Sequence, residues 1–293
     1  MRKIFILLFF LISVPSFSNP GNDWKSWIQL GPDINGEVAG DLSGSVAMSS
    51  DGTIVAIGAD RNDGNGTDAG HVRVYKYTSG NWSQLGSDID GEAAGDYSGY
   101  SLSLSGDGTI VAIGSDLNDG NGTNAGHVRI YQYASGSWTQ LGSDIDGEAA
   151  DDRSGYSVSL SDDGTIVAIG AYQNDGNGSD AGHVRVYKNV SDVWTKICKC
   201  GPDGGDINGE AAGDNSGRYV SLSSDGTILA IGAKYNDGNG TDAGHVRVYE
   251  AIDLTVTLSV ANTTVAESAG AVTVTATLNN AAASCEVTVE LSF

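Results

Sequence analysis

"NDGNGTDAGHVRVY" occupies residues 62–75, and close copies begin at Asn118, Asn174 and Asn236. A run of Asp, Asn, Gly and Thr leads straight into an alternating strand, so the stretch reads as a metal cradle, part of an active site, or a hairpin turn. Its histidines, His71, His127, His183 and His245, stand 56, 56 and 62 residues apart, and the extra six fall within "KICKCGPDGGD" (196–206). A period of this length, with several strand signals and no helix, predicts the blades of a β-propeller.

The second unit shows the strands of one blade. "YSLSLS" (100–105) alternates, "TIVAIGS" (109–115) is a nearly continuous apolar run, "HVRIYQY" (127–133) alternates, and "WTQLGSDI" (138–145) closes the set. Four such units predict an all-β chain with four four-stranded blades. The segment "WIQLGPDI" (27–34) is a fourth strand with no blade before it, and nothing like it follows Tyr249. Residues 27–34 are therefore expected to complete the last blade and close the ring, with an open arc as the alternative.

Composition agrees with a turn-rich β protein: 42 glycines, four prolines and 18% charged residues. Residues 1–18 read as a secretory signal, with Arg2 and Lys3 ahead of the apolar run Ile4 to Val14 and the small-residue pattern Ser16-Phe17-Ser18. That run is too short to span a bilayer, so a secreted or cell-surface product with no membrane insertion is expected. Beyond the signal, 13 basic residues face 37 acidic ones, a formal charge of −24. Such a chain repels nucleic acid and anionic lipid, which both require clustered Lys or Arg. Cys198, Cys200 and Cys285 make an odd count, and a lone Cys-x-Cys lacks the two further ligands of a tetrahedral zinc site.

The units resemble FG-GAP repeats, the blades of integrin-α-like propellers, and especially their bacterial variants. The "FG" positions appear as "SG" in "GDYSGYS" (95–101), and the "GAP" positions as Gly58-Ala59-Asp60, Gly114-Ser115-Asp116, Gly170-Ala171-Tyr172 and Gly232-Ala233-Lys234. The resemblance covers about residues 27–250 and implies a propeller domain over 19–250, with many family members carrying more blades than four. The family's calcium cage, an acidic loop between the FG and GAP strands, is shortened here to "SSDGT" (49–53) and its copies, each with one acid in register: Asp51, Asp107, Asp163 and Asp225. That cage does not carry over. Residues 251–293 differ in composition, with Val/Thr-rich alternating runs, and resemble the start of a Calx-β-like module.

Alternating strand directions bring the second-to-third and fourth-to-first connections to one end of the ring. For the second blade this face is expected to gather Asp88, Asp90, Glu92 and Asp96 with Asp116 and Asp119. Side chains at the first, third and fifth loop positions offer hard oxygens to Ca²⁺, which needs six to eight of them. The candidate ligands are Asp63, Asn65 and Asp68 in the first unit, Asp119 and Asn121 in the second, Asp175, Asn177 and Asp180 in the third, and Asp237, Asn239 and Asp242 in the fourth. The competing reading is a turn alone, because Asp-Gly and Asn-Gly steps form tight turns without a metal.

The histidines lie on third strands, too far from the axis to converge, and are expected to pack between blades. The tryptophans at 27, 82, 138 and 194 read as blade-edge packing. No Gly-x-Ser-x-Gly elbow occurs, and identical histidines and carboxylate pairs recur in every unit, where an active site would be unique. The expectation is a non-enzymatic binding or adhesion module that presents its acidic face to an extracellular protein or glycan. The alternative is an accessory domain of a larger secreted hydrolase.

Overall fold

The computed structural model describes residues 27–197 and 205–251, together with the backbone of 256–260 and 274–278. The expected signal segment, all three cysteines and most of the expected C-terminal module lie outside the described residues. No helix occurs among those described.

The first sheet holds β1 (Ser45–Met48), β2 (Ile54–Ala59), β3 (His71–Thr78), β4 (Asn81–Gln84) and β5 (Ile89–Asp90). β1, β2, β3 and β4 follow one another as antiparallel neighbours, and β5 pairs with the early part of β3. The second sheet repeats this with β6 (Ser101–Leu104), β7 (Ile110–Ser115), β8 (His127–Ala134), β9 (Ser137–Gln140) and β10 (Ile145–Asp146). The third uses β11 (Ser154–Leu160), β12 (Ile166–Ala171), β13 (His183–Val190), β14 (Val193–Lys196) and β15 (Ile207–Asn208). The fourth has only β16 (Ser216–Leu222), β17 (Ile228–Ala233) and β18 (His245–Glu250), and β19 (Val256–Val260) pairs separately with β20 (Val274–Leu278).

In the first three sheets the expected fourth strand is thus two short pieces. On β3 the register runs Tyr75 to Gln84, then Val72 to Ile89, so four residues on one side answer two on the other. The surplus Leu85–Asp88 bulges, with Gly86 at φ +79. The carbonyl freed by this bulge is used by the next sheet: Trp138 Nε1 donates to Leu85 O at 2.7 Å, and Trp194 repeats the contact on Leu141 O at 2.8 Å. Trp138 and Trp194 therefore pack between sheets, as their edge position suggested, whereas Trp27, expected to do the same, is 99% exposed.

Neighbouring sheets touch through their first and second strands, and glycine makes the approach possible. A Cβ built on Gly58 would lie 2.1 Å from Gly99 O; on Gly114, 2.1 Å from Gly155 O; on Gly170, 1.9 Å from Gly217 O. These are the "GAP" and "SG" glycines, so each unit's second motif is pressed against the next unit's first. Serines lock the approach, with Ser101 Oγ donating to Gly155 O and Ser157 Oγ to Gly217 O at 2.7 and 2.8 Å. The apolar runs of β2, β7 and β12 fill the space between, with Val111, Ile113, Val167 and Ile169 fully buried.

Ring closure by residues 27–34 is not observed. Those residues form no strand, and the sheet of β18 gains no fourth member among the described residues. Leu30 O instead accepts from Trp82 Nε1 at 2.8 Å, so the segment lies on the first sheet as 85–91 lies on the second. Matching positions show the consequence: Val72, Val128 and Val184 are wholly buried whereas Val246 is 66% exposed. Gly232, the fourth "GAP" glycine, meets only its own sheet's Tyr219, at 3.6 Å.

Gly114 and Gly232 both have ordinary backbone angles, so alanine tests the approach and not the turn. Gly114→Ala is expected to destabilise the chain by about 1–3 kcal/mol through overpacking, and Gly232→Ala to be neutral within ~0.5 kcal/mol. Urea unfolding of the two variants checks this; equal effects would refute the glycine contact as the interlock.

Candidate functional site

The long loop after each second strand and the linker after each fourth strand emerge at one end of the sheets, as expected, and they are stitched together. Asn65 Nδ2 donates to Gly91 O at 2.7 Å, Gly95 N to Thr67 O at 2.9 Å and Tyr97 N to Asp68 O at 3.2 Å. The first residue of the opening stretch carries a buried bond. Asn62 Nδ2 donates to Asp41 Oδ2 at 3.1 Å, while its own Oδ1 accepts from Gly64 N at 2.8 Å. Asn118 does the same with Asp96, Asn174 with Asp152 and Asn236 with Asp214. Each pair joins a loop to the linker that precedes its sheet, so the stretch is first of all an inter-sheet clasp.

The candidate calcium ligands sit within these turns. Asp63 Oδ1 accepts from Asp68 N, Asp119 Oδ1 from Asn124 N, Asp175 Oδ1 from Asp180 N and Asp237 Oδ1 from Asp242 N, all at 2.8 Å. Asp68, Asp180 and Asp242 adopt left-handed backbone angles of φ 54, 50 and 54. Asn121 and Asn177 donate to Gly147 O and Gly209 O, whereas Asn239 in the fourth unit has no described linker to meet. The structure thus brings Asp63, Asn65 and Asp68 into one turn per unit, with one carboxylate oxygen of the first acid already engaged.

Two members expected on the acidic face are not surface groups. Asp96 is 3% and Asp116 is 5% exposed. Asp96 is drawn inward by Asn118 and by Ala93 N, and Asp116 is paired with Arg153 Nη1 at 3.5 Å. At the other end of the sheets, Asp51, Asp107, Asp163 and Asp225 each cap their own turn; hydrogen bonds, first from Ser223 Oγ, hold Asp225 at about 2.

Over the first sheet the face opens into a cleft of about 680 Å³ lined by Glu37, Asp41, Asp63, Asp68, Asp88 and Asp90, against Arg61 and His71. Residues that sequence reasoning had not joined meet on its floor. His71 Nδ1 lies 3.9 Å from Glu37 Oε2 and 4.0 Å from Asp88 Oδ2, and Arg73 Nη1 lies 3.3 Å from Glu37 Oε1. The second unit repeats this with His127, Glu92, Arg129 and Asp144, and the third with His183, Glu148, Arg185 and Asp206. The histidines pack between sheets without converging on the axis, but each gathers carboxylates from two units. The signal was the recurrence of a Glu ahead of every His and Arg; what hid it was that the Glu belongs to the previous unit. Acidic and histidine clusters of this kind could hold a metal ion.

Burial, reinforced by the neighbouring arginine, pushes His127 and His183 down to about 4, so both imidazoles are neutral at physiological pH. Burial raises Glu92, with Arg129 opposing.

Residues 144–187 match the family model described as FG-GAP repeat. No curated protein matches the chain. Among solved structures, the chain is similar to hydrazine synthase of Kuenenia stuttgartiensis, at 14% identity and a TM-score of 0.46, over 77% of this chain and 49% of that one. It is also similar to the periplasmic gluconolactonase PpgL of Pseudomonas aeruginosa, at 14% identity and a TM-score of 0.44, over 80% of this chain and 65% of that one. The chain therefore spans about half to two thirds of the length of these structures. Because structures titled as enzymes stand among the matches, the expectation that the chain is not an enzyme is withdrawn.

Asp116 provides a pH test of the face. Burial raises its folded pKa from 3.8 to about 6. The folded state then binds more protons than the unfolded state between those values, so the carboxylate lowers stability as pH rises through 6. Asp116→Asn is expected to stabilise the chain above pH 6 by up to ~3 kcal/mol, with the gain vanishing below about pH 4. Urea unfolding at several pH values reads the difference.

Proposed function

We propose that the chain is an exported binding module whose acidic loop face meets an extracellular protein or glycan, with calcium held by the repeated loops. The observation that carries this reading is the first-sheet cleft, where the carboxylates of Glu37, Asp63, Asp68, Asp88 and Asp90 face Arg61 and His71. Such a face attracts cations and basic partners and repels anionic ones. The recurrence of the same loop in all four units adds support, because a multi-unit face binds an extended ligand at several points.

Calcium is expected to raise the melting temperature more than magnesium at matched ionic strength, since Mg²⁺ retains its waters and demands a tight octahedron. Replacing Asp63, Asp119, Asp175 and Asp237 by Asn keeps turn-forming residues in place and should erase that difference. The same quadruple variant should lose at least about tenfold in affinity for a cationic peptide or glycan-array ligand that the unmodified chain captures, with binding weakened by added salt. Asn at Asp107 and Asp163, on the opposite turns, should leave capture unchanged. Equal loss in both variants would overturn the assignment of the ligand to the loop face.

A further inference from the structure

The glutamate, histidine and aspartate gathered beneath each linker are arranged as metal ligands with their orienting partners already in place. Glu37 offers Oε1 to Arg73 and turns Oε2 toward His71; Asp88 takes a hydrogen bond from Gln84 Nε2 on Oδ1 and turns Oδ2 toward the same imidazole nitrogen. In the second unit Glu92 is shared in the same way between Arg129 and His127, and Asp144 accepts from Gln140 Nε2. Metal-bound carboxylates are oriented in this manner, one oxygen fixed by the outer shell and the other free to ligate.

The imidazoles are the second observation. His71 and His127 are each 1% exposed, and their Nε2 atoms have no hydrogen-bond partner. His71 Nδ1 faces Glu37 and Asp88 at 3.9 and 4.0 Å, and His127 Nδ1 faces Glu92 at 3.8 Å, all beyond hydrogen-bond length. A buried imidazole whose Nδ1 is aimed at carboxylates beyond hydrogen-bond length is a donor in want of an acceptor ion. Ligand atoms on one ion with bonds of about 2.0–2.2 Å stand roughly 4 Å apart at most; His71 meets this with both carboxylates and His127 with Glu92, and the three ligand atoms of each cluster lie within 4.8 Å of one another.

The third unit shows what the pocket selects. Where the first two units have neutral Gln84 and Gln140, it has Lys196, whose Nζ lies 2.8 Å from Asp206 and 3.9 Å from Glu148. A built-in ammonium has taken the place between the same two carboxylates beside His183.

We propose that the Glu37–His71–Asp88 and Glu92–His127–Asp144 clusters each bind one divalent first-row transition ion, zinc or manganese by ligand chemistry, and that Lys196 replaces the ion in the third unit. One imidazole with two carboxylates suits these ions better than Ca²⁺, which takes oxygen ligands alone. Because Glu37 and Glu92 come from the linkers that precede the sheets of His71 and His127, each ion staples a linker to the next sheet.

Zinc and manganese titrations by calorimetry, with metal content measured after gel filtration, test this. Two ions per chain are expected, falling to one in Glu92→Gln. Lys196→Gln recreates the glutamine of the other units and should raise the count to three, a gain that misfolding cannot imitate. The quadruple Asn variant of the calcium loops should keep both ions, so the two metal assignments fail separately. A count of zero, or one unmoved by Glu92→Gln and Lys196→Gln, would overturn the proposal.

Discussion

Gly114 and Gly155 lie so close that a single methyl group on the former would strike the carbonyl of the latter. This backbone-to-backbone approach, repeated between Gly58 and Gly99 and between Gly170 and Gly217, fixes the spacing of the sheets. Everything polar between sheets depends on it. Arg129 Nη2 reaches Asp90 O at 2.7 Å and Arg185 Nη2 reaches Asp146 O at 2.6 Å only because the preceding linker is held against the third strand. The Asn–Asp clasps and the tryptophan bonds use the same separation. A larger residue at the glycine would lengthen several hydrogen bonds at once, which is why its cost should exceed that of a single lost contact.

Units that contact only their neighbours gain stability from interfaces as much as from their own strands. The fourth sheet shows this by contrast. Val246 and Val248 are each 66% exposed, although Val184, at the position of Val246, is fully buried and Val186, at that of Val248, is 8% exposed. His245 and Arg247 likewise keep their Glu210 partner at 3.6 and 3.8 Å, but with side chains about a quarter exposed where those of His183 and Arg185 are enclosed. The sequence of the last unit is nearly that of the others; its environment is not.

The fold was legible because a repeat multiplies weak signals: period, alternation and the paired glycines each recur four times. The bulged fourth strand was less so, since "WTQLGSDI" alternates well enough to pass for one strand until Gly142 turns it. Composition does not decide closure by residues 27–34, because a segment that packs on the first sheet has the same composition as one that completes the last. The site was only half visible. Carboxylates could be assigned to one end from topology, but burial separates Asp96 and Asp116 from the surface acids, and no spacing rule joins Glu92 to His127 across a unit boundary. Asn62 at the head of a turn looks in sequence like any turn former; only its bond to Asp41 shows that it holds two segments together.

What repeats in this chain is chiefly what holds it together, so the departures from the repeat locate where one unit differs chemically from the next. Lys196 is one, exchanging a neutral amide for a cation inside a carboxylate pair. A second lies around Arg218, where the other units place Ser45, Tyr100 and Tyr156. Its guanidinium stands 5.0 Å from the Tyr156 ring centroid and 4.9 Å from that of Tyr172, while Tyr156 in turn packs on Tyr100 at 5.0 Å. Burial, with the Tyr156 hydrogen bond adding to it, pushes the Tyr100 hydroxyl above its ordinary value, so that phenol stays neutral at any physiological pH. The same first-strand edge carries Arg153 beside the buried Asp116. A four-fold scaffold would offer four equal sites, but substitutions at the unit junctions leave an aromatic and guanidinium cluster at the third and a cation-filled pocket beside it. Asymmetry therefore enters through side chains at the interfaces, where the glycine contacts keep the backbone the same.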